Sequence, residues 1–476
     1  MRLYKFVLIL GVLFLLPGFV LPTFAQWEPE RRLTFDDSTS FTSWNNAWSV
    51  AAQGDTVHAV WYDNRDGPMD NQEIYYKRST DGGLTWGEDV RLTFNDAYSP
   101  YPAIAASPQS GVHVIWYDAR NTYPKIYYRR STDGGSTWST EVQISFRSAN
   151  SEYPSLAASG NDVHAVWGNN WVNGSSMYYG VIYRGSTNGG TTWGTELRLA
   201  DSTDRPPYPS VAASGSAVHI AWKDHRDGND EIYFRRSTDR GMTWMPETRL
   251  TNDTAESFIP SVAVSGSTVY VVWHDERTGN ADIFFCRSSD GGATWGPNTD
   301  LVNDATAAYL PSVAASGSNV HIAWDDGRYL GQIYYKHSSD GGLTWDADTR
   351  ITSATRGVYN PSISVSGSTV HVLWSDFRDG NPEIYYTRNP TGNGVENEGG
   401  ARLFVQDAGL KPHPNPFVFF TTILHCESQW FVLYDISGRQ VGTYKGDRIG
   451  EGLAPGVYFL RAEGGDGKPV RVVKVR

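Results

Sequence analysis

The sequence predicts an all-β protein in which a seven-bladed β-propeller precedes a small Ig-like β-sandwich. An eight-residue motif, Ser-(Ser/Thr)-Asp-Gly-Gly-x-Thr-Trp, occurs six times, first at residues 79–86. A second pattern, Val-His-apolar-apolar-Trp, recurs seven times at a spacing of roughly 52 residues, with Tyr replacing His once. Both patterns end before residue 390. Repeats of this length indicate stacked structural units followed by a different domain.

Each repeat contains four short predicted strands separated by Gly, Asp and Asn turns. In the fourth repeat these strands are Ser210–Ser214, Val218–Trp222, Glu231–Arg236 and Thr243–Thr251. One four-stranded sheet cannot bury both of its faces alone, so the repeats are expected to stack as the blades of a propeller. The eight-residue motif is then a tight hairpin between the third and fourth strands, because Asp and Ser accept backbone N–H bonds and Gly permits positive φ.

The seventh repeat has no eight-residue motif and no outer strand of its own. The segment from Trp27 to Phe35 contains Arg31-Arg32-Leu33-Thr34, which matches the outer-strand pattern Arg249-Leu250-Thr251. We therefore expect the N-terminal strand to complete the last blade, which removes an exposed edge and closes the ring.

Residues 1–25 have the features of a signal peptide. Arg2 and Lys5 flank an apolar run that ends near Val20, and Ala25 completes a small-residue cleavage site. An uncleaved membrane anchor is the alternative, although Pro17 interrupts the short run. Without this segment, 38 Lys and Arg face 52 Asp and Glu, a net charge of about −14 that argues against a nucleic-acid partner. No later segment is predicted to span a membrane.

The predicted domains are a signal peptide at 1–25, the propeller at 26–388, a linker at 389–403 and a C-terminal domain at 404–476. The linker is rich in Gly, Asn, Pro and Glu. Cys286 and Cys426 fall in different predicted domains, so a disulfide between them has no support. The sequence indicates no cofactor.

The C-terminal region contains the segments 412–417 (Pro-His-Pro-Asn-Pro-Phe), 433–441 (Leu-Tyr-Asp-Ile-Ser-Gly-Arg-Gln-Val) and 455–459 (Pro-Gly-Val-Tyr-Phe). These segments resemble the C-terminal sorting domain of type IX secretion. The resemblance implies passage across the outer membrane by that secretion machinery, followed by surface attachment or release. An Ig-like accessory domain without a sorting role is the alternative.

The eight-residue motif resembles the Asp-box, or BNR repeat, of sialidase-like β-propellers. Two copies depart from it, with Asn188 in place of Asp and Arg240 in place of the first Gly. In that family the motif lies away from the active face, which implies a structural role. The resemblance also implies a site on the opposite face, although the enzymatic sialidases of that family have six blades.

Enzymatic sialidases use an arginine triad, a Tyr nucleophile polarised by Glu, and an Asp acid/base. Their Phe/Tyr-Arg-Ile-Pro motif is absent, because no repeat has Arg two residues before its Pro. No catalytic residue is therefore carried over from the resemblance. Glu152, Asp204 and Glu256 are acids that the repeat does not explain, with Glu152 the weak catalytic candidate for a rearranged glycoside-hydrolase site.

Six second strands carry a histidine at the same place. These residues are His58, His113, His164, His219, His321 and His371. Stacked sheets lie about 10 Å apart, whereas ligands lie about 2 Å from a zinc ion, so we expect packing and hydrogen bonding and predict no metal site.

Six repeats continue from the second strand into Trp-x-Asp-x-Arg. The arginines are Arg65, Arg120, Arg226, Arg277, Arg328 and Arg378. A structural girdle of ion pairs is the favoured interpretation, because chemistry is rarely spread evenly around a ring. The alternative is that some of these arginines bind a carboxylate or sulfate group of a ligand.

The links between repeats carry aromatic residues, and the third repeat has a loop four residues longer than usual. Aromatic faces beside polar side chains suit sugars. The aromatic ligand-binding candidates are Trp44, Trp48, Tyr101, Tyr153, Trp171, Tyr208, Tyr309 and Tyr359. The sequence thus predicts a secreted or cell-surface propeller that binds glycans or another extracellular ligand on its aromatic-rich upper face. A sialidase-like hydrolase with a rearranged site and a protein-binding scaffold are the alternatives.

Overall fold

The computed structural model of the protein describes residues 27–43, 48–66, 71–173, 176–202, 205–302, 306–328 and 331–392, together with short segments between 412 and 474. Residues 1–397 and 398–476 form two compact units. The predicted signal peptide, Trp44, Asp204 and Cys426 lie outside the described residues.

The first unit is a ring of seven antiparallel sheets. The inner strands are Val50–Gln53, Ala103–Ser107, Ser151–Ser159, Ser210–Ser214, Ser257–Ser265, Ala308–Ser316 and Val358–Ser366. The second strands are Thr56–Asp63, Gly111–Asp118, Asp162–Asn173, Ala217–Asp224, Thr268–Asp275, Asn319–Asp326 and Thr369–Asp376. The third strands are Glu73–Ser79, Lys125–Ser131, Ser176–Ser186, Glu231–Ser237, Asp282–Ser288, Gln332–Ser338 and Glu383–Asn389. The outer strands are Val90–Arg91, Val142–Gln143, Leu197–Ser202, Thr248–Arg249, Thr299–Asp300, Thr349–Arg350 and Arg31–Arg32.

These sheets confirm the predicted seven-bladed propeller and its closure. Arg31 lies opposite Tyr386 and Arg32 opposite Tyr385, so the N-terminal strand is the outer strand of the seventh blade. The first blade carries an extra short strand, Ser40–Phe41, which also pairs with its second strand. The outer strand predicted at 243–251 is shorter, Thr248–Arg249, because the preceding motif forms a hairpin that continues to Trp244.

A buried tryptophan in each second strand fills the space between adjacent sheets. All seven are 0% exposed: Trp61, Trp116, Trp167, Trp222, Trp273, Trp324 and Trp374. Trp324, for example, packs against Val272 and Phe285 of the preceding blade. Removing a side chain of this size from water stabilises the fold by roughly 3 kcal/mol, so the stacking of blades is the main source of stability.

The repeated histidine bonds a tyrosine of the third strand in the same blade. His58 Nδ1 lies 2.7 Å from the Tyr76 hydroxyl. A Cβ atom at Gly135, in the motif of the next blade, would lie only 1.8 Å from that hydroxyl. The second Gly of the motif is thus required for close approach of the neighbouring tyrosine as well as for its positive φ of 87°. Equivalent His–Tyr bonds join His113 to Tyr128, His164 to Tyr183, His321 to Tyr335 and His371 to Tyr386.

The hairpin formed by the eight-residue motif is held by its own Ser and Asp. The Ser79 hydroxyl accepts a bond from the Gly83 N–H at 2.8 Å, and Asp81 accepts bonds from the Thr85 N–H at 2.8 Å and the Thr85 hydroxyl at 2.6 Å. An arginine of the previous blade then binds the motif, as Arg388 Nη1 does with the Gly82 carbonyl at 2.6 Å. These bonds join the seventh blade to the first.

The second unit contains a four-stranded antiparallel sheet. Its strand order is Gln440–Lys445, Trp430–Asp435, Gly456–Ala462 and Val470–Lys474. Two further short strands, Pro412–His413 and Thr422–Ile423, pair with each other. The described residues contain no helical segment that would serve as a membrane span.

Candidate functional site

We call the end of the propeller at which second strands end and inner strands begin the upper face. The inner strands enclose a central channel of about 180 Å³ lined mainly by alanines, such as Ala105, Ala157 and Ala212. Small-molecule sites usually have volumes of about 300–1,000 Å³ and a few polar groups. The channel is smaller than this range, so the open upper face is the better candidate for a ligand site.

The loop arginines form ion pairs on the outer half of the blades. Arg120 donates to both oxygens of Asp118 at 2.6–2.7 Å and stacks 4.2 Å from the centre of the Tyr127 ring. It also reaches Glu141, which directly precedes the outer strand, at 2.5 Å. Equivalent contacts to the acid before the outer strand are made by Arg65, Arg226, Arg328 and Arg378. The guanidinium groups are thus directed away from the central channel and contribute to a structural girdle.

Trp171, predicted as a ligand-binding residue, lies on an extension of the third blade. The long loop expected there is a β-hairpin, because the second strand continues to Asn173 and the third begins at Ser176. Trp171 stacks on Tyr178 at 6.1 Å, and the Arg198 guanidinium lies 3.9 Å from its ring centre. The alternation of the extended strands therefore places this ring against its own outer strand.

One cross-strand pair in each blade lies at the rim of the channel on the upper face. In blade order the pairs are Phe41 with Tyr62, Pro100 with Tyr117, Glu152 with Gly168, Pro207 with Lys223, Phe258 with His274, Tyr309 with Asp325 and Tyr359 with Ser375. We call these the mouth pairs. Their second members occupy the variable place in Trp-x-Asp, and each blade has a different combination. Neighbouring positions that pack between blades are nearly identical in every repeat.

Five tyrosines of the first four blades form a chain of contacts that we call the tyrosine arc: Tyr62, Tyr101, Tyr117, Tyr153 and Tyr208. The ring centres of Tyr101 lie 5.8 Å from Tyr62 and 6.1 Å from Tyr153, and those of Tyr153 and Tyr208 are 4.4 Å apart. Tyr101, Tyr153 and Tyr208 each precede a proline and have φ of 43–55°. This conformation is unfavourable for a tyrosine, so the surrounding packing holds these rings at the mouth.

The remaining blades place polar side chains at the same level. Lys223 pairs with Asp230 at 2.9 Å and lies 5.4 Å from the ring centres of both Tyr208 and Phe258. The His274 ring is stacked on Phe258 with ring centres 5.1 Å apart, and its centre lies 5.5 Å from that of the nearly perpendicular Tyr309 ring. Burial lowers the pKa of His274 to about 3 and raises the pKa of Asp325 to about 8. We call Lys223, His274 and Asp325 the polar arc.

Glu152, the weak catalytic candidate, belongs to a mouth pair in the third blade. Its partner is Gly168, where an added Cβ would lie 3.1 Å from Pro207. Burial raises the pKa of Glu152, and the one opposing influence is a bond from Asn150 at 3.4 Å. Glu152 belongs to the third blade and Asp325 to the sixth, and no contact between the two carboxyl groups is found among the described residues. These two described carboxyl groups are therefore not arranged as the closely facing pair of a retaining glycosidase.

Glu256, the other described acid that the repeat did not explain, belongs to an ion-pair cluster beside the polar arc. Arg205 Nη1 lies 2.8 Å from Glu256 and 2.9 Å from Asp230. His225, Asp230 and Glu256 have ligand atoms close enough to hold a cation. Arg205 and Lys223 already balance the two carboxylates, so this arrangement gives no separate support for a metal site.

Six of the predicted aromatic candidates lie at the mouth, and their role in ligand binding stays a prediction: Trp48, Tyr101, Tyr153, Tyr208, Tyr309 and Tyr359. Sequence reasoning missed His274, Asp325 and Lys223. The signal that identifies them is variation within an otherwise constant pattern: the residue after the buried Trp is Tyr62, Tyr117, Gly168, Lys223, His274, Asp325 or Ser375.

No protein-family model matches this chain. The chain is 21% identical over 300 residues to a sialidase of Bacteroides fragilis (strain YCH46), an alignment that covers 52% of each chain. The chain thus spans about half the length of this curated relative.

Two solved structures have a related architecture. The polysaccharide lyase Uly1 superposes with a TM-score of 0.54 at 11% identity and covers 77% of this chain and 100% of its own. A PL25 ulvan lyase superposes with a TM-score of 0.52, also at 11% identity, and covers 75% of this chain and 95% of its own. The chain shares its fold, a β-propeller, with these two lyases. At such low identity the comparisons establish architecture alone, and the chemistry depends on the mouth.

Proposed function

We propose that the protein binds a glycan on the upper face of its propeller. The observation that carries this proposal is the tyrosine arc, a set of contacting rings at the mouth with Glu152 and the polar arc beside it. Sugar rings have apolar C–H faces and a rim of hydroxyl groups, which match aromatic faces flanked by hydrogen-bonding side chains. The similarity to a sialidase and to two polysaccharide lyases supports a carbohydrate ligand.

Binding without hydrolysis is the form of this proposal that fits the residues best. The six loop arginines are held in ion pairs within the blades, and Glu152 and Asp325 are not close partners. A sialidase-like reaction requires a cation cluster for the substrate carboxylate together with positioned acid and nucleophile groups. The described part of the upper face does not assemble these groups.

The test is to measure both retention and product release with the full chain. We would use sialyllactose, hexagalacturonic acid, sulfated ulvan fragments and neutral xylo-, manno- and cello-hexaoses, and would analyse the products by chromatography. We expect at least one glycan to be retained without turnover. Product release would instead establish an enzyme, and absence of any retained glycan would favour the protein-scaffold alternative.

We also propose that the protein acts outside the cell. The support is the signal-peptide pattern at residues 1–25 and the resemblance of the C-terminal region to the type IX sorting domain. Cell fractionation with mass spectrometry of both termini tests this proposal. We expect a mature N-terminus after Ala25 and recovery in the surface or medium fraction.

A further inference from the structure

Tyr309 lies between two polar side chains of neighbouring blades. Tyr309 is 42% exposed, and the centre of its ring lies 5.5 Å from that of His274, with the two rings nearly perpendicular. In the antiparallel register of the sixth blade, Tyr309 is directly opposite Asp325. Side chains opposite each other in antiparallel strands lie on the same face about 5 Å apart at Cβ. One accessible aromatic ring is therefore flanked by an imidazole and a carboxyl group.

The two polar side chains are mostly buried, and no hydrogen bond to either is found among the described residues. His274 and Asp325 are each 7% exposed. His274 Nδ1 has no partner, and none of the described residues donates a hydrogen bond to Asp325 or accepts one from it. Leaving a buried polar group unsatisfied costs about 1–3 kcal/mol, and most native groups of this kind are bonded to protein or water. A ligand hydroxyl group would recover this free energy at His274 Nδ1, and a second hydroxyl group would give the Asp325 carboxyl a partner.

The charge around Tyr309 favours an uncharged ligand. Burial and the neighbouring Asp326 raise the pKa of Asp325 to about 8, and burial lowers the pKa of His274, so both are neutral near pH 7. The nearest cations are already paired, Lys223 with Asp230, Arg277 with Asp275 and Arg328 with Asp326. Neutral imidazole and carboxylic acid each donate and accept hydrogen bonds, as sugar hydroxyls do.

We propose that Tyr309, His274 and Asp325 form a subsite for one uncharged sugar unit, whose ring face lies on Tyr309 while its hydroxyl groups bond to His274 and Asp325. This inference rests on the proposed glycan binding and specifies the ligand class. It selects a neutral pentose or hexose unit over a uronate or sialate. The tyrosine arc would hold further units of the same chain.

Isothermal titration of the full chain with xylohexaose, mannohexaose, cellohexaose, hexagalacturonic acid and sialyllactose tests the ligand class. We expect one of the neutral hexasaccharides to bind at least tenfold more tightly than either acidic glycan. Tighter binding of an acidic glycan would overturn the subsite, although it would leave glycan binding in place.

The contribution of each residue to binding is measured with variants and with the neutral hexasaccharide that binds best. Asp325→Val and His274→Leu should each weaken binding by tenfold or more, whereas Asp325→Asn, which still donates and accepts, should weaken it less than Asp325→Val. Asp300→Asn, a half-buried carboxyl on the outer strand of the fifth blade with a raised pKa, is the matched control and should bind like the parent. Thermal melting identifies any variant that has not folded.

A double-mutant cycle separates hydroxyl recognition from a structural role. Each monodeoxy derivative of the hexasaccharide lacks one hydroxyl group and should bind the parent protein more weakly. The derivative that lacks the hydroxyl group bonded to Asp325 should bind Asp325→Val as tightly as the complete hexasaccharide does. If Asp325→Val and His274→Leu bind normally while Tyr208→Ala loses affinity, the subsite is wrong and glycan binding on the tyrosine arc stands. If the parent retains no glycan, the proposed function itself fails.

Discussion

The repeated interior of the blades and the mouth differ in how their polar groups are satisfied. In the interior, Asp224 is 0% exposed and accepts bonds from the Trp222 indole at 3.1 Å and from the Arg226 guanidinium and backbone N–H. At the mouth, Asp325 is nearly as buried but lacks a described partner. Positions that are the same in nearly every blade thus hold the ring together, whereas positions that differ between blades are the candidates for ligand binding.

The largest expected effect is loss of a girdle carboxylate. Asp224→Ala removes the acceptor of the buried Trp222 indole N–H and one of the two carboxylate partners of Arg226, and should lower the free energy of unfolding by about 3–5 kcal/mol. Urea denaturation measures this change. Asp201→Asn, in a pair that is mostly exposed, is the control and should change it by less than about 0.5 kcal/mol. A loss below about 1 kcal/mol for Asp224→Ala would show that the girdle does not stabilise the blades.

The buried histidines should make the propeller sensitive to acid. Burial lowers the pKa of seven second-strand histidines to about 3 or 4: His58, His113, His164, His219, His274, His321 and His371. Between these values and the ordinary 6.5, the unfolded chain binds more protons than the folded one. Stability should therefore rise with pH from about 3 to about 6.5, as thermal melting at a series of pH values would show.

His219 allows the destabilising effect of histidine protonation to be tested in a single blade. Both of its ring nitrogens are buried without partners, because Phe234 replaces the tyrosine found in other blades. His219→Leu should raise the melting temperature at pH 4.5 and change it little at pH 7.5. Equal changes at both pH values would mean that packing, and not protonation, controls this position.

The tyrosine arc should affect binding more than stability. Tyr208→Ala removes a ring that contacts Tyr153 at 4.4 Å and should weaken glycan binding about tenfold, the effect of losing one aromatic anchor. Tyr123→Ala, an exposed tyrosine on a loop of the same face outside the arc, should bind like the parent. Titration calorimetry distinguishes them, and equal losses in both variants would contradict the assigned site.

The smallest expected effect comes from adding to the fourth blade the His–Tyr hydrogen bond that five other blades have. Phe234→Tyr should give His219 the hydroxyl partner that His58 has in Tyr76 and stabilise the protein by about 1 kcal/mol. The Phe234 ring already reaches Gly292 of the next motif, where other blades place the tyrosine. A loss of stability on denaturation would show that the fourth blade is packed differently from its neighbours.

Part of the candidate site was predictable. The aromatic residues in the links between repeats were predicted as ligand-binding candidates because aromatic faces suit sugars, and six of them, including Tyr153 and Tyr309, lie at the mouth. The loop arginines were also candidates, but they turn outward because Asp118 and Glu141, in the case of Arg120, offer paired acceptors. His274 and Asp325 escaped notice because a His or Asp after a buried Trp looks like an ordinary strand end.

The sequence by itself determined the number of blades, their strand order and the closure by Arg31–Arg32, because a period of roughly 52 residues and the alternation within it are local properties of the chain. The tertiary structure decided which side chains share the mouth. Tyr309 meets His274 because the ring places a residue of one blade beside a residue 35 positions earlier in another. Such proximity arises from the curvature of stacked sheets, which no local pattern encodes.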